Sequence, residues 1–216
     1  TPFVSFLEII SRLNIKKVAF VSSAGTVYGA TSGKVREESD KSPFSPYGII
    51  KLTMENFLNY YKARYNIQFD IYRVSNVYGE GQNVSKGLGI INTFLEKILR
   101  DKEVHVFGDG QNTRNYIYVK DVVEFLSLAI KTQSTSGIYN IASNDTLSIN
   151  QLLSIIKNTV SENFSVVYKE SRQSDNAYID LDNSKILNCF SDFRFTGIDE
   201  GILKTYLSLK NEKVKN

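Results

Sequence analysis

The chain has 216 residues, a net charge of +3 and a single cysteine, Cys189. That length holds one large domain or a domain and a half, and 42% hydrophobic with 23% charged residues is an ordinary globular composition that argues against a disordered or fibrous chain. Scattered Lys and Arg give no nucleic-acid footprint, one cysteine gives no disulfide framework and points to a reducing cytoplasm, no stretch reaches the ~18 apolar residues of a membrane span, and one His with one Cys makes no metal-ligand set.

Residues 2–14 carry Phe3, Phe6, Leu7, Ile10 and Leu13 at helical spacing. Residues 16–22 read as a short buried strand, and 23–45, rich in Ser, Gly and charge, as a long loop. Ser45 as N-cap and Pro46 at the first helical position open a helix with the apolar stripe Ile50, Met54, Phe57, Leu58 and Tyr61. Residues 67–74 are the next strand, 76–89 a Gly-rich loop, 90–100 a helix, and 103–107 an alternating strand ending in the turn Gly108-Asp109-Gly110. Residues 116–119 are extended, 121–131 helical and 137–141 a strand. Ser148 with Gln151 forms a capping box for a helix over 149–160. An extended piece at 166–168 and helices over 183–190 and 199–209 complete the order. Strands alternating with helices predict an α/β class with a largely parallel sheet. The start matches the second half of a doubly wound sheet, and the remainder predicts a smaller mixed α/β lobe at the sheet's carboxyl edge.

Tyr47 and Lys51 lie four apart on the helix opened by Ser45, so they share a face. A tyrosine, with an ordinary pKa near ~10, is a poor base at neutral pH. A neighbouring ammonium group favours the phenolate, and a positioned phenolate can take the proton of a substrate hydroxyl. The spacing alone is common by chance. Its position at a helix start, about twenty residues after a strand that runs into a Ser/Thr-rich loop, is what singles it out.

Five blocks in order carry a resemblance. They are Val21-Ser22-Ser23-Ala24-Gly25-Thr26-Val27-Tyr28-Gly29, Ser45-Pro46-Tyr47-Gly48-Ile49-Ile50-Lys51, and Arg73-Val74-Ser75-Asn76-Val77-Tyr78-Gly79. The fourth runs from Gly108-Asp109-Gly110 through Thr113-Arg114-Asn115-Tyr116 to Val119 and Asp121; the fifth is Arg172-Gln173-Ser174-Asp175 followed by Asp182-Asn183-Ser184-Lys185. Together they resemble the extended short-chain dehydrogenase/reductase family, specifically its NAD-dependent nucleotide-sugar epimerases and dehydratases of the UDP-glucose 4-epimerase-like kind. The resemblance implies the C-terminal part of a Rossmann-type doubly wound parallel sheet plus a small mixed α/β substrate lobe. It assigns residues 1–86, with returning segments near 115–145, to the cofactor side and 87–216 mainly to the nucleotide sugar. It implies Tyr47 as base and acid, Lys51 on the nicotinamide ribose, and Ser22, Ser23 and Ser75 on the cofactor side. On the substrate side it implies Thr26, Asn76, the diphosphate-gripping Arg114 and Arg172, Asp175 on the nucleoside ribose, and His105, Val106 and Phe107 walling the base. Planar guanidinium forks match phosphate oxygens.

The chain departs from that pattern in four places. It lacks the G-x-x-G-x-x-G turn of a cofactor-phosphate cradle, so it is expected to begin in the helix before the sheet's fifth strand, with about a hundred family residues missing. Ala24 stands where the family commonly has a catalytic Ser or Thr, which leaves Ser23 or Thr26, Thr26 favoured, to polarise the substrate. No carboxylate occupies the positions that sugar dehydratases fill with T-D-E, which favours an epimerase or a reductase. Asn115 replaces a frequent aspartate. The expectation is therefore a nucleotide-sugar 4-epimerase that uses NAD, with NADP left open, acts on a UDP-sugar, binds neither nucleic acid nor membrane, and forms a homodimer in the cytoplasm. A 4-keto-sugar reductase using NADPH and an inactive, binding-only relative are the alternatives.

Overall fold

The computed structural model describes residues 2–13, 15, 17–84, 89–132, 137–171 and 178–215. The chain opens on α1 (Pro2–Arg12), β1 (Lys17–Ser23), the single turn α2 (Ala24–Val27) and β2 (Lys34–Val35). The long α3 (Pro46–Tyr65) leads into β3 (Gln68–Val74) and β4 (Asn76–Tyr78). Next come α4 (Ile90–Arg100), β5 (Glu103–Phe107), β6 (Thr113–Tyr118), α5 (Val119–Thr132) and β7 (Gly137–Ile141). They are followed by β8 (Thr146–Ser148), α6 (Ile149–Thr159), β9 (Ser165–Lys169), β10 (Asp180–Leu181), α7 (Ser184–Cys189) and α8 (Ile198–Lys215).

β1, β3 and β7 form one parallel sheet in that order, with Ser23 opposite Val74 and Val74 opposite Ile141. The side chains of β3 alternate between two cores. Phe69 and Ile71 meet Leu7 and Ile10 of α1 and Leu58 and Tyr61 of α3. Tyr72 and Val74 point the other way, onto Val122 and Phe125 of α5 and Ile186 of α7. Each such burial contributes about 1.5–3 kcal/mol, so the period-two alternation fixes how β3 sits and brings helices to both faces of the sheet. This is the doubly wound arrangement expected from the sequence.

The second body is built around β4, β6 and β8, with β5 paired to β9. Its core joins Ile91, Leu95 and Ile98 of α4 to Val104 and Val106 of β5, Leu152 and Ile156 of α6, and Ile202 of α8. The capping box at α6 forms both of its bonds: Gln151 N donates to Ser148 Oγ and Ser148 N to Gln151 Oε1. Asn66, at φ 56, ends α3 in the left-handed region.

Two readings from periodicity are corrected. On α3, Ile50 and Phe57 face outward, at 55% and 36% exposure, and the buried face carries Glu55 with Leu58 and Tyr61. On α1, Leu7 and Ile10 are buried but Phe6 is exposed, as is Leu13 just past its end. The loop read over 23–45 contains α2 and β2.

Candidate active site

The start of α3 is held by a cap and by a close approach. Ser45 Oγ accepts from Gly48 N at 3.1 Å, and Pro46 takes a first-turn position that needs no donor. A Cβ at Gly48 would lie 2.3 Å from the Thr26 carbonyl oxygen and 3.0 Å from Pro43 Cβ. Only glycine lets the first turn of α3 rest on α2, and that contact packs the residue next to Tyr47 against the Thr26 backbone. Gly48→Ala is expected to destabilise the full-length protein by ~1–3 kcal/mol through overpacking. A thermal melt reads this as a fall of several degrees in Tm, with turnover reduced because Tyr47 is displaced.

Tyr47 is 54% exposed. Lys51 Nζ donates to Val21 O at 2.9 Å, sits 5.0 Å from the Phe20 ring centroid and 5.7 Å from that of Tyr47. Burial pulls the Lys51 pKa down, and the Glu55 carboxylate opposes that pull. The last carbonyls of β1 thus orient the ammonium next to the tyrosine. Thr26 Oγ1 is buried with no hydrogen-bond partner, an expensive state that a bound polar group would relieve. Ser23 is the N-cap of α2 and its side chain makes no capping bond. Ser22 is different: its hydroxyl donates to Glu55 Oε1 at 2.5 Å inside the core.

On the other side of α2, a Cβ at Gly25 would stand 3.9 Å from Asn76 Oδ1. Asn76 is exposed, with its Nδ2 donating to Asn115 O at 3.1 Å. Ser75 follows β3; its N donates to Ile141 O, while its Oγ is buried without a partner. Ser75, Asn76 and Arg114 line one cavity of about 410 Å³ together with Gln82, Asn112 and Tyr116. Arg114 Nη1 donates to the carbonyl of Thr113 at 2.9 Å. Burial pushes the Tyr116 phenol up to about 12 against the pull of Arg114, so it stays a neutral wall of that cavity. Asn115 is 1% exposed and uses both ends of its amide, accepting from Leu181 N at 2.8 Å and donating to Thr146 Oγ1 at 2.7 Å. It ties β6 to β8 and β10.

Three other expectations meet the structure differently. Val106 is 1% exposed and belongs to the hydrophobic core, so it has no side chain to offer a base; this corrects its reading as a wall residue. The alternation of β5 leaves His105 and Phe107 on the partly exposed face, with His105 Nε2 2.5 Å from Glu103 Oε1. Arg172 and Asp175 lie outside the described residues. Among the described residues no group of His, Cys, Asp and Glu could hold a metal, and no helix is long and apolar enough to cross a membrane.

Sequence reasoning missed the polar network beneath the site. The Arg73 guanidinium, 1% exposed, grips the Glu55 carboxylate at 2.7 and 3.2 Å and donates to Tyr28 Oη at 2.8 Å and Glu37 O at 2.9 Å. Tyr28 Oη in turn donates to Asn140 Oδ1 at 2.6 Å, and Asn140 N donates to Glu37 Oε1 at 2.8 Å. Burial pushes the Tyr28 phenol up to about 12, although Arg73 draws it down. Tyr28 is therefore a fixed neutral link. A signal was available: Arg73 stands between Tyr72 and Val74 in a strand read as buried, and a charge there needs a buried partner.

A doubly wound sheet, a Tyr–Lys pair at the carboxyl ends of its strands and a polar cavity alongside define an α/β enzyme of the dinucleotide-dependent type. A profile of the NAD dependent epimerase/dehydratase family matches residues 3–142, and the chain belongs to that family. It is 32% identical over 211 residues to a putative UDP-glucose 4-epimerase of Methanocaldococcus jannaschii, covering 96% of this chain and 68% of that one. It is 27% identical over 207 residues to a dTDP-4-dehydro-6-deoxyglucose reductase of Escherichia coli, covering 96% and 66%. The UDP-glucose 4-epimerase of Thermotoga maritima, solved with UDP-glucose, has the same fold with a TM-score of 0.91 at 30% identity, over 98% of this chain and 69% of that one. That of Thermus thermophilus, solved with NAD, gives 0.86 at 26% identity, over 96% and 68%. The chain spans about two thirds of the length of these relatives.

Proposed function

We propose that the full-length protein interconverts the 4-epimers of a UDP-sugar. The observation that carries this reading is the pairing of exposed Tyr47 and buried, unpartnered Thr26 Oγ1 across the Gly48 contact, next to the cavity of Ser75, Asn76 and Arg114. Tyr47 removes the proton of the sugar 4-hydroxyl as that carbon is oxidised and returns it when the carbon is reduced on its other face. Lys51 places positive charge beside the ring where the transfer leaves negative charge. Thr26 donates to the same sugar oxygen, and Ser23 stands next to it. Arg114 and Asn76 hold the diphosphate, with Arg172 and Asp175 assigned to the same ligand and the exposed face of β5 to the base. NAD, when bound, supplies the acceptor and donor of hydride. The residues present fit it: Ser75 Oγ is buried without a partner, and Val21 takes only one of the three Lys51 N–H groups. We assign residues 1–86, with the returning segments near 115–145, to that cofactor and 87–216 mainly to the sugar nucleotide.

A dehydratase reading is disfavoured by the site. The human dTDP-D-glucose 4,6-dehydratase is 33% identical over 152 residues, yet Ala24 and Gly25 present no carboxylate to drive elimination. Incubating the full-length protein with UDP-glucose and resolving the products by chromatography tests the proposal. UDP-galactose forming without net consumption of cofactor supports it. Consumption of NADPH with a 4-keto sugar nucleotide, and no epimer from UDP-glucose, would establish the reductase instead. Exposed Phe6 and Ile9 on α1 and Ile50 and Tyr60 on α3 support a homodimer through these two helices. A monomeric mass in solution for the full-length protein would contradict it.

A further inference from the structure

We infer that Asn92 is a positioning residue for substrate, setting the spacing between the two walls of the Arg114 cavity; this rests on reading that cavity as the sugar-nucleotide site. One wall is Ser75 to Tyr78, along β4. The facing wall is Gly89, Ile90 and Ile91, the cap and first turn of α4. Among the described residues β4 stops at Tyr78 and α4 starts at Ile90, leaving the two walls on separate elements.

Asn92 bridges that gap. It is the third residue of α4 and is fully buried. Its carboxamide lies against one peptide unit: Gly79 N donates to Asn92 Oδ1 at 3.1 Å, and Asn92 Nδ2 donates to Gly79 O at 2.7 Å. The β4–β6 ladder pairs Asn76 with Tyr116, Val77 with Ile117 and Tyr78 with Tyr118, and ends there. The side chain of Asn92 therefore acts as the next rung, supplied by a helix. Gly79 can accept it because a Cβ there, at φ +139, would stand 2.5 Å from Val119 Cγ1. A side chain on Gly79 would push the strand end off α5 and break the rung.

The anchoring of α4 itself does not depend on this rung. Ile91, Phe94, Leu95 and Ile98 bury the helix in the lobe's core. What Asn92 adds is the registry of the first turn of α4 against Asn76 and Ser75. Groups that position a substrate are sensitive to displacements of about 1 Å. Tyr47 and Lys51 lie on α3 and Thr26 on α2, outside the rung, so the loss falls on binding of the sugar nucleotide.

The test uses the full-length protein and two variants. Asn92→Leu removes both bonds. Asn92→Asp keeps the acceptor for Gly79 N and sets an oxygen against Gly79 O. Calorimetry gives the affinities for UDP-glucose and NAD, and steady-state kinetics separates KM from kcat. The expected result is a KM and Kd for UDP-glucose raised about tenfold or more in Asn92→Leu and less in Asn92→Asp, with kcat within threefold and NAD affinity unchanged. Wild-type affinity for UDP-glucose in either folded variant overturns the inference. So does a parallel loss of NAD and UDP-glucose binding, or failure of both variants to fold, each of which makes Asn92 a residue of the fold alone. A wild-type protein that binds no UDP-glucose refutes the functional reading instead, and is recognised before any variant is compared.

Discussion

Replacing Tyr47 by phenylalanine in the full-length protein is expected to lower kcat for UDP-glucose by about 100- to 10,000-fold, the range for removing a general acid–base group. The change deletes one oxygen from a side chain that is 54% exposed and makes no core contact, so Tm stays within a degree or so of wild type. KM is expected to change little, because Asn76 and Arg114, proposed to hold the ligand, lie on β4 and β6 and not on α3. Stopped-flow assays with saturating UDP-glucose measure the effect. Turnover within fivefold of wild type would remove Tyr47 from the chemistry.

The second large effect is on stability. Arg73→Met is expected to cost ~3–5 kcal/mol, because it leaves the buried Glu55 carboxylate without the guanidinium that pairs with it. Glu55 Oε1 would keep only Ser22, the Tyr28 hydroxyl would lose a donor, and the Glu37 carbonyl would lose its guanidinium. Glu55 lies one turn after Lys51 and its partner Ser22 adjoins Val21, the residue that orients Lys51. Activity should therefore fall with stability. Chemical denaturation of Arg73→Met, Glu55→Gln and the double variant checks this. The double variant should recover part of the loss, since no charge remains unpaired. Losses that simply add would mean that the two residues act independently.

Much of the local structure is legible from residues alone. The capping box at Ser148 and Gln151 and the Ser45–Pro46 helix start are local chemistry, so both were readable in advance. The bounds of α4, β5 and β7 coincide with those expected from periodicity. β2, β4, β8 and β10 were not readable, because strands of two or three residues exist only through partners distant in sequence. The buried face of α3 was misread for the same reason. Glu55 goes inside because Arg73, 18 residues on, meets it there, and no helical period reports that. Among site residues, Tyr47 and Lys51 share the start of α3, which Gly48 seats on the Thr26 backbone, and Ser75, Asn76 and Arg114 share a cavity. The inward turn of Val106 follows from the alternation of β5, a signal present in the sequence. Asn92 carried no sequence signal, since its role depends on where β4 stops.

The central claim is that the Tyr47 end of α3 and the Arg114 cavity serve one bound sugar nucleotide. The most direct measurement is a crystal structure of the full-length protein with UDP-glucose and NAD. The sugar 4-hydroxyl is expected within about 2.6–3.2 Å of Tyr47 Oη, with Thr26 Oγ1 on the same oxygen and the diphosphate on Arg114 and Asn76. A nucleotide sugar seated elsewhere, or one in the cavity with its sugar ring turned away from Tyr47, would contradict it.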